Sequence, residues 1–189
     1  MPGRGVRYQE VCKDLWDQVD IEVAIHRYRQ LGLSFGQSLM NVLLDITLGK
    51  VPDTWDNDRP SWLKGLELDR FYKTLKLAFE FQGEQHYTNP DQRKRDQEKA
   101  ALCKKHGVAL RHLNASDLDP SLFAVKLRGY LQGTNASRDS HQLATLRQFV
   151  TPQAYNYLKE LVRDYRITLQ RSFGNRSASV GNARMGGSR

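Results

Sequence analysis

Residues 75–82, LKLAFEFQ, alternate apolar side chains with polar or small ones at every second position. This period of two is typical of a β-strand with one buried face, because successive side chains of a strand point to opposite sides of the sheet. The segment therefore predicts a strand that buries Leu77, Phe79 and Phe81. It also predicts that Glu80 and Gln82 project side by side from the other face.

The neighbouring segments predict further strands of the same sheet. Residues 66–72, LELDRFY, alternate in the same way, and the short YKT link makes the two strands an antiparallel hairpin. Residues 88–107 predict a helix, and VALRHL at 108–113 predicts a third strand, parallel to the second by the right-handed crossover rule. The expected fold class is α/β, with a small mixed sheet flanked by helices.

Helices are also predicted ahead of the hairpin. Ser34 as N-cap, Gln37 as its capping-box partner and Gly49 as terminator delimit one of them, whereas the polar residues 50–65 predict a loop. Residues 8–31 predict one broken or two short helices ending near Gly32. The apolar positions at helical spacing in that segment are Val11, Leu15, Val19, Val23 and Ile25.

The part of the chain after the third strand is predicted to be helical. Asp119 and Pro120 open a helix that runs to Leu131, residues 133–137 form a flexible joint, and Thr151 with Pro152 opens another helix. Residues 171–189 contain four arginines and no acidic residue, which predicts a disordered cationic tail. The expected organisation is an N-terminal helical extension at 1–33, a core at 34–133, a helical segment at 134–171 and a disordered basic tail at 172–189.

Charge and cysteine content restrict the partners and the compartment. The 189 residues carry 29 Lys and Arg against 21 Asp and Glu, a net charge of +8, which favours an anionic partner such as nucleic acid or a phospholipid surface. Two cysteines without metal-ligand spacing favour a reducing compartment. No apolar run approaches the roughly 20 residues that span a bilayer. We expect a soluble intracellular protein of the cytoplasm, nucleoid or nucleus, with no membrane partner.

Asp69 and Glu80 are the candidate metal ligands. They come from adjacent strands, which pair about 4.8 Å apart, so two carboxylates on one face can share an ion. Hard oxygen ligands are those that Mg²⁺ prefers, and Gln82, two residues beyond Glu80, can orient a water or a phosphate. The cation that metal-assisted phosphodiester hydrolysis also requires is expected from Arg95 or Lys99 on the following helix.

Each of these residues also has an ordinary structural interpretation. Carboxylates on a hairpin are usually solvated charges, although Glu80 lies in a strongly apolar strand, where an unpaired carboxylate is costly. A lone histidine such as His86 is more often a structural hydrogen-bonding group than a catalyst, and consecutive basic residues are more often an exposed helix face than a DNA contact. Asp96 and Lys99 could equally form an ion pair within their helix.

Two runs of the sequence resemble a known family. They are RPSWLKGLELDRFYKTLKLAFEFQGEQHY at 59–87 and RDQEKAALCKKHGVAL at 95–110. They are similar to endonuclease-like proteins related to the very-short-patch repair endonuclease and to phage homing endonucleases, within the restriction-endonuclease-like PD-(D/E)xK superfamily. The resemblance covers residues 34–113, under half of the chain. It implies a core of order αβββαβ and a nuclease centre dependent on Mg²⁺ or Mn²⁺ on the sheet.

The resemblance implies roles for individual residues. Asp69 matches the metal-binding aspartate, and Glu80 and Gln82 match an acidic-x-basic element in which glutamine stands for lysine. The Phe81 carbonyl between them would be the third metal ligand, and His86 matches a histidine of the active-site loop.

Further along the chain, Asp96 and Lys99 match a helical RDxxK motif whose lysine would replace the one missing at position 82. Two positions depart from the family pattern. Gln37 stands where a glutamate is usual, and Arg70 stands where a glycine commonly follows the strand aspartate. These departures raise the question of weakened or altered catalysis.

The expected function is a metal-dependent endonuclease, either a nickase or a double-strand nuclease, that hydrolyses phosphodiester bonds of DNA. The sequence leaves two alternatives open: a nucleic-acid-binding protein of the same fold with weakened catalysis, and a nuclease directed at RNA. The basic residues expected to contact nucleic acid are Arg93, Lys94, Arg95, Lys104, Lys105, Arg171 and Arg176. The auxiliary residues expected at the site are Gln37, Glu84 and Asp96.

Overall fold

Four strands form one mixed sheet, in the order in which they occur along the chain. The computed structural model describes residues 15–83, 90–134, 143 and 145–182, with the backbone alone for 90 and 173–182. The strands are β1 (Thr54–Asp58), β2 (Leu68–Tyr72), β3 (Leu77–Gln82) and β4 (Ala109–Asn114). The first three are antiparallel neighbours, whereas β4 lies parallel to β3. The predicted α/β class and the predicted hairpin and crossover are confirmed.

Five α-helices accompany the sheet within the described residues. They are α1 (Gln18–Gln30), α2 (Phe35–Leu48), α3 (Pro90–Lys105), α4 (Phe123–Leu131) and α5 (Pro152–Asn182), together with short 3₁₀ turns at Ser61–Leu63 and Leu146–Gln148. The segment from α2 to β4 thus has the element order αβββαβ. Among all the residues that the structure describes, no helix combines the length and the apolar character needed to cross a bilayer.

The sheet separates two apolar clusters. The larger one joins residues of α1, α2, α4 and α5 to the face of the sheet that carries Leu77, Phe79 and Phe81, all of them buried as predicted. The smaller one lies under α3 and the first 3₁₀ turn, where Phe71 and Ala78 contact Cys103. Helices therefore cover both faces of the sheet, and the α3 side also carries the candidate carboxylates.

The N-terminus of α2 forms as its sequence predicts. The Ser34 hydroxyl accepts a hydrogen bond from the Gln37 amide at 3.2 Å, and the Gln37 side-chain oxygen accepts one from the Ser34 amide at 2.9 Å. Gly49, with φ of 66°, ends the helix. Because this reciprocal capping box satisfies two helix-terminal donors, it fixes where α2 begins.

The structure corrects the prediction that residues 50–65 form a loop, because β1 lies within them. Its sequence, TWDND, is polar, so no alternating pattern marks it as a strand. Pairing with β2 defines it instead, with Asp56 opposite Arg70 and Trp55 opposite Phe71. An edge strand of this kind is stabilised by its partner strand rather than by its own burial pattern.

The apolar face predicted for the first helix is wrong at Leu15, Val19 and Val23, whereas Ile25 is partly buried against the larger cluster. Val19 and Val23 are 62% and 63% exposed, whereas Ile21, Ala24 and Tyr28 form the buried side of α1. The helix is oriented by Tyr28, whose hydroxyl reaches a buried charged group described below. The predicted position Val11 lies outside the described residues.

Two helix boundaries differ from those predicted. Helix α4 begins at Phe123 rather than at Asp119, because the Asp119 carboxylate instead accepts hydrogen bonds from the amide and hydroxyl of Ser121 in a turn. Helix α5 begins at Pro152 as predicted but continues to Asn182, into the segment expected to be disordered. No proline follows Pro152, so nothing in the backbone stops the helix at 171.

Candidate active site

The candidate carboxylates Asp69 and Glu80 face each other where β2 and β3 separate. The last paired residues of these strands are Arg70 and Phe79, so Asp69 and Glu80 are the next cross-strand neighbours and share the α3 side of the sheet. Asp69 Oδ2 accepts a hydrogen bond from the Phe81 amide at 2.7 Å, and the Asp69 amide donates to Glu80 Oε1 at 3.3 Å. The two carboxylates thus replace the backbone hydrogen bonds that the diverging strands give up.

Lys99 brings a cation to this pair from α3. Its Nζ donates to Glu80 Oε2 at 2.6 Å, and the two side chains are only 12% and 10% exposed. The alternative, an ion pair between Lys99 and Asp96 within the helix, is not present among the described ion pairs, and Asp96 accepts a hydrogen bond from Gln92 at 3.0 Å. Lys99 is therefore a buried partner of Glu80 and not part of a solvated helix face.

Gln37 reaches the same site from the first turn of α2. Its side chain forms a hydrogen bond that lowers the pKa of Asp69. Gln37, which stands where the resembling family usually has a glutamate, therefore does reach the candidate site. Gly36 permits this approach, since a β-carbon there would overlap the Phe81 ring and the Tyr165 hydroxyl. The missing side chain at position 36 allows α2 to lie against β3.

Burial and mutual repulsion set the ionisation of the carboxylates. Burial raises the pKa of Asp69, against the lowering effect of hydrogen bonds from the Phe81 amide and Gln37. Burial, and next the charge of Asp69, raise the pKa of Glu80 to about 7, while Lys99 acts in the opposite direction. The pair is thus held in an environment where a second positive charge would stabilise both ionised forms.

Gln82 has a partner that the sequence did not reveal. Its Nε2 lies 2.9 Å from Nδ1 of His112, which stands opposite Glu80 in the parallel register of β3 and β4. A donated amide hydrogen at Nδ1 places the imidazole proton on Nε2. The alternation of VALRHL could have placed His112 on the carboxylate face once the register of the parallel pair was fixed.

The oxygen ligands at the site suit Mg²⁺ or Mn²⁺, which keep several bound waters, better than they suit a metal coordinated by protein side chains alone. No group of three or more His, Cys, Asp or Glu that could hold an ion occurs in the described parts of the chain. Two mutually repelling carboxylates with a neighbouring backbone carbonyl at Phe81 nevertheless suit Mg²⁺, which keeps several waters and commonly takes only one or two protein carboxylates.

The remaining predicted site residues lie elsewhere or are not described. Glu84 and His86 lie outside the described residues. Five of the basic residues expected to contact nucleic acid are exposed on α3 and Arg171 is exposed on α5: Arg93, Lys94, Arg95, Lys104, Lys105 and Arg171. Residues 93–95 are consecutive, so they spread over some 200° of the helix surface and do not form one contact face. For Arg176 only the backbone is described.

Arg70 points away from the candidate site. Its guanidinium is buried on the opposite face of the sheet, where it contacts Asp45 and Asp56 and is shielded from solvent. The hydroxyls of Tyr28 and Tyr72 lie 2.8 and 2.9 Å from its nitrogens. The departure from glycine at position 70 thus builds a buried ionic cluster that joins α1, α2, β1 and β2, and does not alter the carboxylate pair.

No protein-family model, curated protein or solved structure matches the chain.

Proposed function

We propose that this chain is a metal-dependent endonuclease that hydrolyses DNA phosphodiester bonds at Asp69, Glu80 and Lys99. The observation that carries the proposal is the buried pair of facing carboxylates with the Lys99 ammonium 2.6 Å from Glu80. Perturbed acids beside a cation are typical of functional sites, because keeping them buried costs stability that a simpler core would not lose.

A divalent cation at this site would polarise the phosphate and lower the pKa of a bound water. Asp69 and Glu80 would hold it, together with the carbonyl oxygen of Phe81. Asp69 is oriented for this by the Phe81 amide and Gln37, and Glu80 is oriented by the Asp69 amide. Two carboxylates fixed by backbone donors form a preorganised ligand pair.

Lys99 would meet the negative charge that develops on the phosphate. In the free protein its ammonium neutralises Glu80, and a metal ion bound to Glu80 would take over that task. The hydrolysis itself joins a water oxygen to phosphorus and breaks the bond from phosphorus to the leaving nucleotide oxygen, which then takes up a proton. A fixed ammonium beside the phosphate stabilises the charge that accumulates during this exchange.

Gln82 would position water or phosphate rather than supply charge. Its amide is held by His112, so its orientation is fixed before a substrate binds. A neutral amide at the place where the resemblance implies lysine leaves Lys99 as the cation nearest to the carboxylates among the described residues.

Two further observations support this class of activity. The segment from α2 to β4 has the order αβββαβ that the resemblance to the restriction-endonuclease-like class implies. The net charge of +8 suits a polyanionic partner. DNA is the proposed partner because the proteins that the sequence resembles act on DNA. The experiment below also includes an RNA substrate, which tests this choice.

One observation favours the alternative of a nucleic-acid-binding protein with weakened catalysis. Lys99, Gln37 and the Phe81 amide already satisfy oxygens of Glu80 and Asp69. These hydrogen bonds also hold α2 and α3 against the sheet, which is a structural role that needs no metal ion. The two candidates differ in whether turnover occurs, not in whether nucleic acid binds.

The experiment offers the purified chain supercoiled, linear and branched DNA and a structured RNA, each with Mg²⁺, Mn²⁺ or EDTA. The proposal predicts cutting of DNA that needs the metal and that is lost in Glu80→Gln. Glu98→Gln on the same helix is the matched control, since Glu98 is exposed and pairs with Lys64. Binding without cutting on every substrate would favour the alternative, and equal cutting by Glu80→Gln would contradict the site.

A further inference from the structure

A groove runs along α5 and reaches the ends of β3 and β4, where Gln82 lines it. Its inner part, about 290 Å³, lies between α5 and the ends of β3 and β4, and is lined by Gln82 and Asn114. Its outer part, about 590 Å³, continues along α5 past Arg163. Arg166 and Gln170 line both parts, so the two cavities adjoin each other along α5.

The spacing of α5 residues builds one wall of this groove. Lys159, Arg163, Arg166 and Gln170 are separated by four, three and four positions, which places all of them on one side of an α-helix. All four are exposed. The adjacent side of the same helix is buried in the core through Leu158 and Val162, so the position of this row relative to the sheet is fixed.

The charges of the groove favour an anion. Three cations of α5 line it against two carboxylates, Asp119 and Glu160. Hydrogen bonds from Ser121 occupy Asp119 and lower its pKa. Arg163 contacts Asp164, but both side chains are more than 60% exposed, so a competing phosphate can replace this pair at little cost.

Arg166 is the basic residue of this row that also lines the inner cavity. It lines the inner cavity together with Gln82, whose neighbour on the same sheet face is Glu80. No ion pair to Arg166 occurs among the residues that the structure describes. Amide side chains at Gln82, Asn114 and Gln170 add hydrogen-bonding groups that suit phosphate and sugar oxygens.

We propose that this groove binds the sugar-phosphate backbone of a nucleic-acid strand and leads it to the end of β3 beside the carboxylate site, with Arg166 at the phosphate nearest to Gln82. The inference rests on the proposed function for its direction toward Asp69 and Glu80. It assigns a role to Lys159, Arg163 and Arg166. These residues lie outside the part of the chain that resembles nucleases.

The test measures binding separately from cutting. A fluorescent oligonucleotide, single-stranded or duplex, is titrated in EDTA with the parent chain and with the variant carrying Lys159→Ala, Arg163→Ala and Arg166→Ala. Loss of three phosphate contacts should make the slope of log K against log salt concentration less steep by about 2 for a single strand and about 3 for a duplex, and should weaken binding roughly tenfold or more. Lys50→Ala, a change at an exposed lysine after α2, is the control and should bind like the parent.

A second comparison tests the role given to Arg166. Arg166→Ala should reduce affinity, Arg166→Lys should restore most of it, and both should melt at the parental temperature because the residue is exposed. A structural role would instead appear as a shifted melting temperature, and that result would contradict the assignment.

The outcomes separate this inference from the nuclease proposal. Weaker oligonucleotide binding by the triple variant supports the groove even if the parent cuts nothing. Parental affinity and salt dependence in the triple variant overturn the groove even if the parent cuts DNA. Failure of the parent to bind any oligonucleotide, or binding of anionic vesicles or poly-glutamate in its place, also overturns it.

Discussion

The ammonium of Lys99 lies 2.6 Å from a carboxylate oxygen of Glu80, beneath a helix that leaves each side chain about one-tenth exposed. An ion pair of this burial has two consequences. Breaking it strands a charge in the interior, and its lysine is close enough to a second carboxylate, Asp69, to influence that group as well. The proposed catalysis and the folding stability therefore depend on the same contact.

Replacing Lys99 tests both roles. Lys99→Met should slow DNA cutting by about a hundredfold or more at saturating substrate, the usual cost of one preorganised donor. It should also lower the free energy of unfolding by about 1 to 3 kcal/mol at pH 8, because loss of Lys99 raises the pKa of Glu80 further and the folded protein must then bury an unpaired carboxylate or take up a proton. The destabilisation should be smaller at pH 5, where Glu80 is protonated. Urea denaturation at the two pH values measures it, and equal losses at both would contradict the pairing.

The raised pKa of Glu80 predicts how stability depends on pH. The folded protein holds the proton up to about pH 7, whereas an unfolded glutamate releases it near 4.5. Between these values the folded state binds more protons than the unfolded state, so stability falls as pH rises. In EDTA, the parent should lose stability from pH 5 to 7.5 relative to Glu80→Gln. Parallel curves for the two proteins would show that Glu80 titrates normally.

Arg70 should matter for folding and not for the site. Arg70→Met leaves Asp45 and Asp56 partly buried without their cation and should cost about 3 to 5 kcal/mol of unfolding free energy. Arg27 also reaches Asp45, at 3.8 Å, but its side chain is 62% exposed, so Arg27→Met should cost less than about 1 kcal/mol. Equal effects of the two substitutions would contradict the buried cluster.

Gly36 should tolerate no side chain. Gly36→Ala forces the new methyl group against the Phe81 ring and the Tyr165 hydroxyl, which should cost about 1 to 3 kcal/mol and slow any cutting by displacing the neighbouring Gln37. Gly129→Ala, in α4 with nothing within 4 Å of the added carbon, is the matched control and should stabilise by about 0.4 to 1 kcal/mol. Thermal melts of both variants decide the comparison.

Local patterns in the sequence predicted the features that one element determines alone. The alternation around Glu80 predicted which side chains of β3 share a face, because a strand has only two faces, but Ala78 and Glu80 on the other face are buried as well. The capping box at Ser34 likewise fixed the start of α2. The facing position of Asp69 followed from the hairpin, which is a local structure.

Features that depend on pairing between distant elements could not be predicted in this way. Strand β1 forms because Asp56 lies opposite Arg70, and α1 turns Tyr28 inward toward the same arginine, leaving its valines exposed. The contact of Gln82 with His112 depends on the register of a parallel pair. In each case a partner from a distant element determines how the strand, helix or side chain is oriented. The periodicity within a single segment does not identify that partner.

The decisive measurement is the single-turnover rate of DNA cutting in Mn²⁺ for four proteins: the parent, Asp69→Asn, Glu80→Gln and Glu98→Gln. We expect the two site variants to lose cutting by about a hundredfold or more while they bind DNA in EDTA as the parent does, and Glu98→Gln to cut at the parental rate. Parental rates in Asp69→Asn and Glu80→Gln would contradict the claim that these carboxylates form the active site.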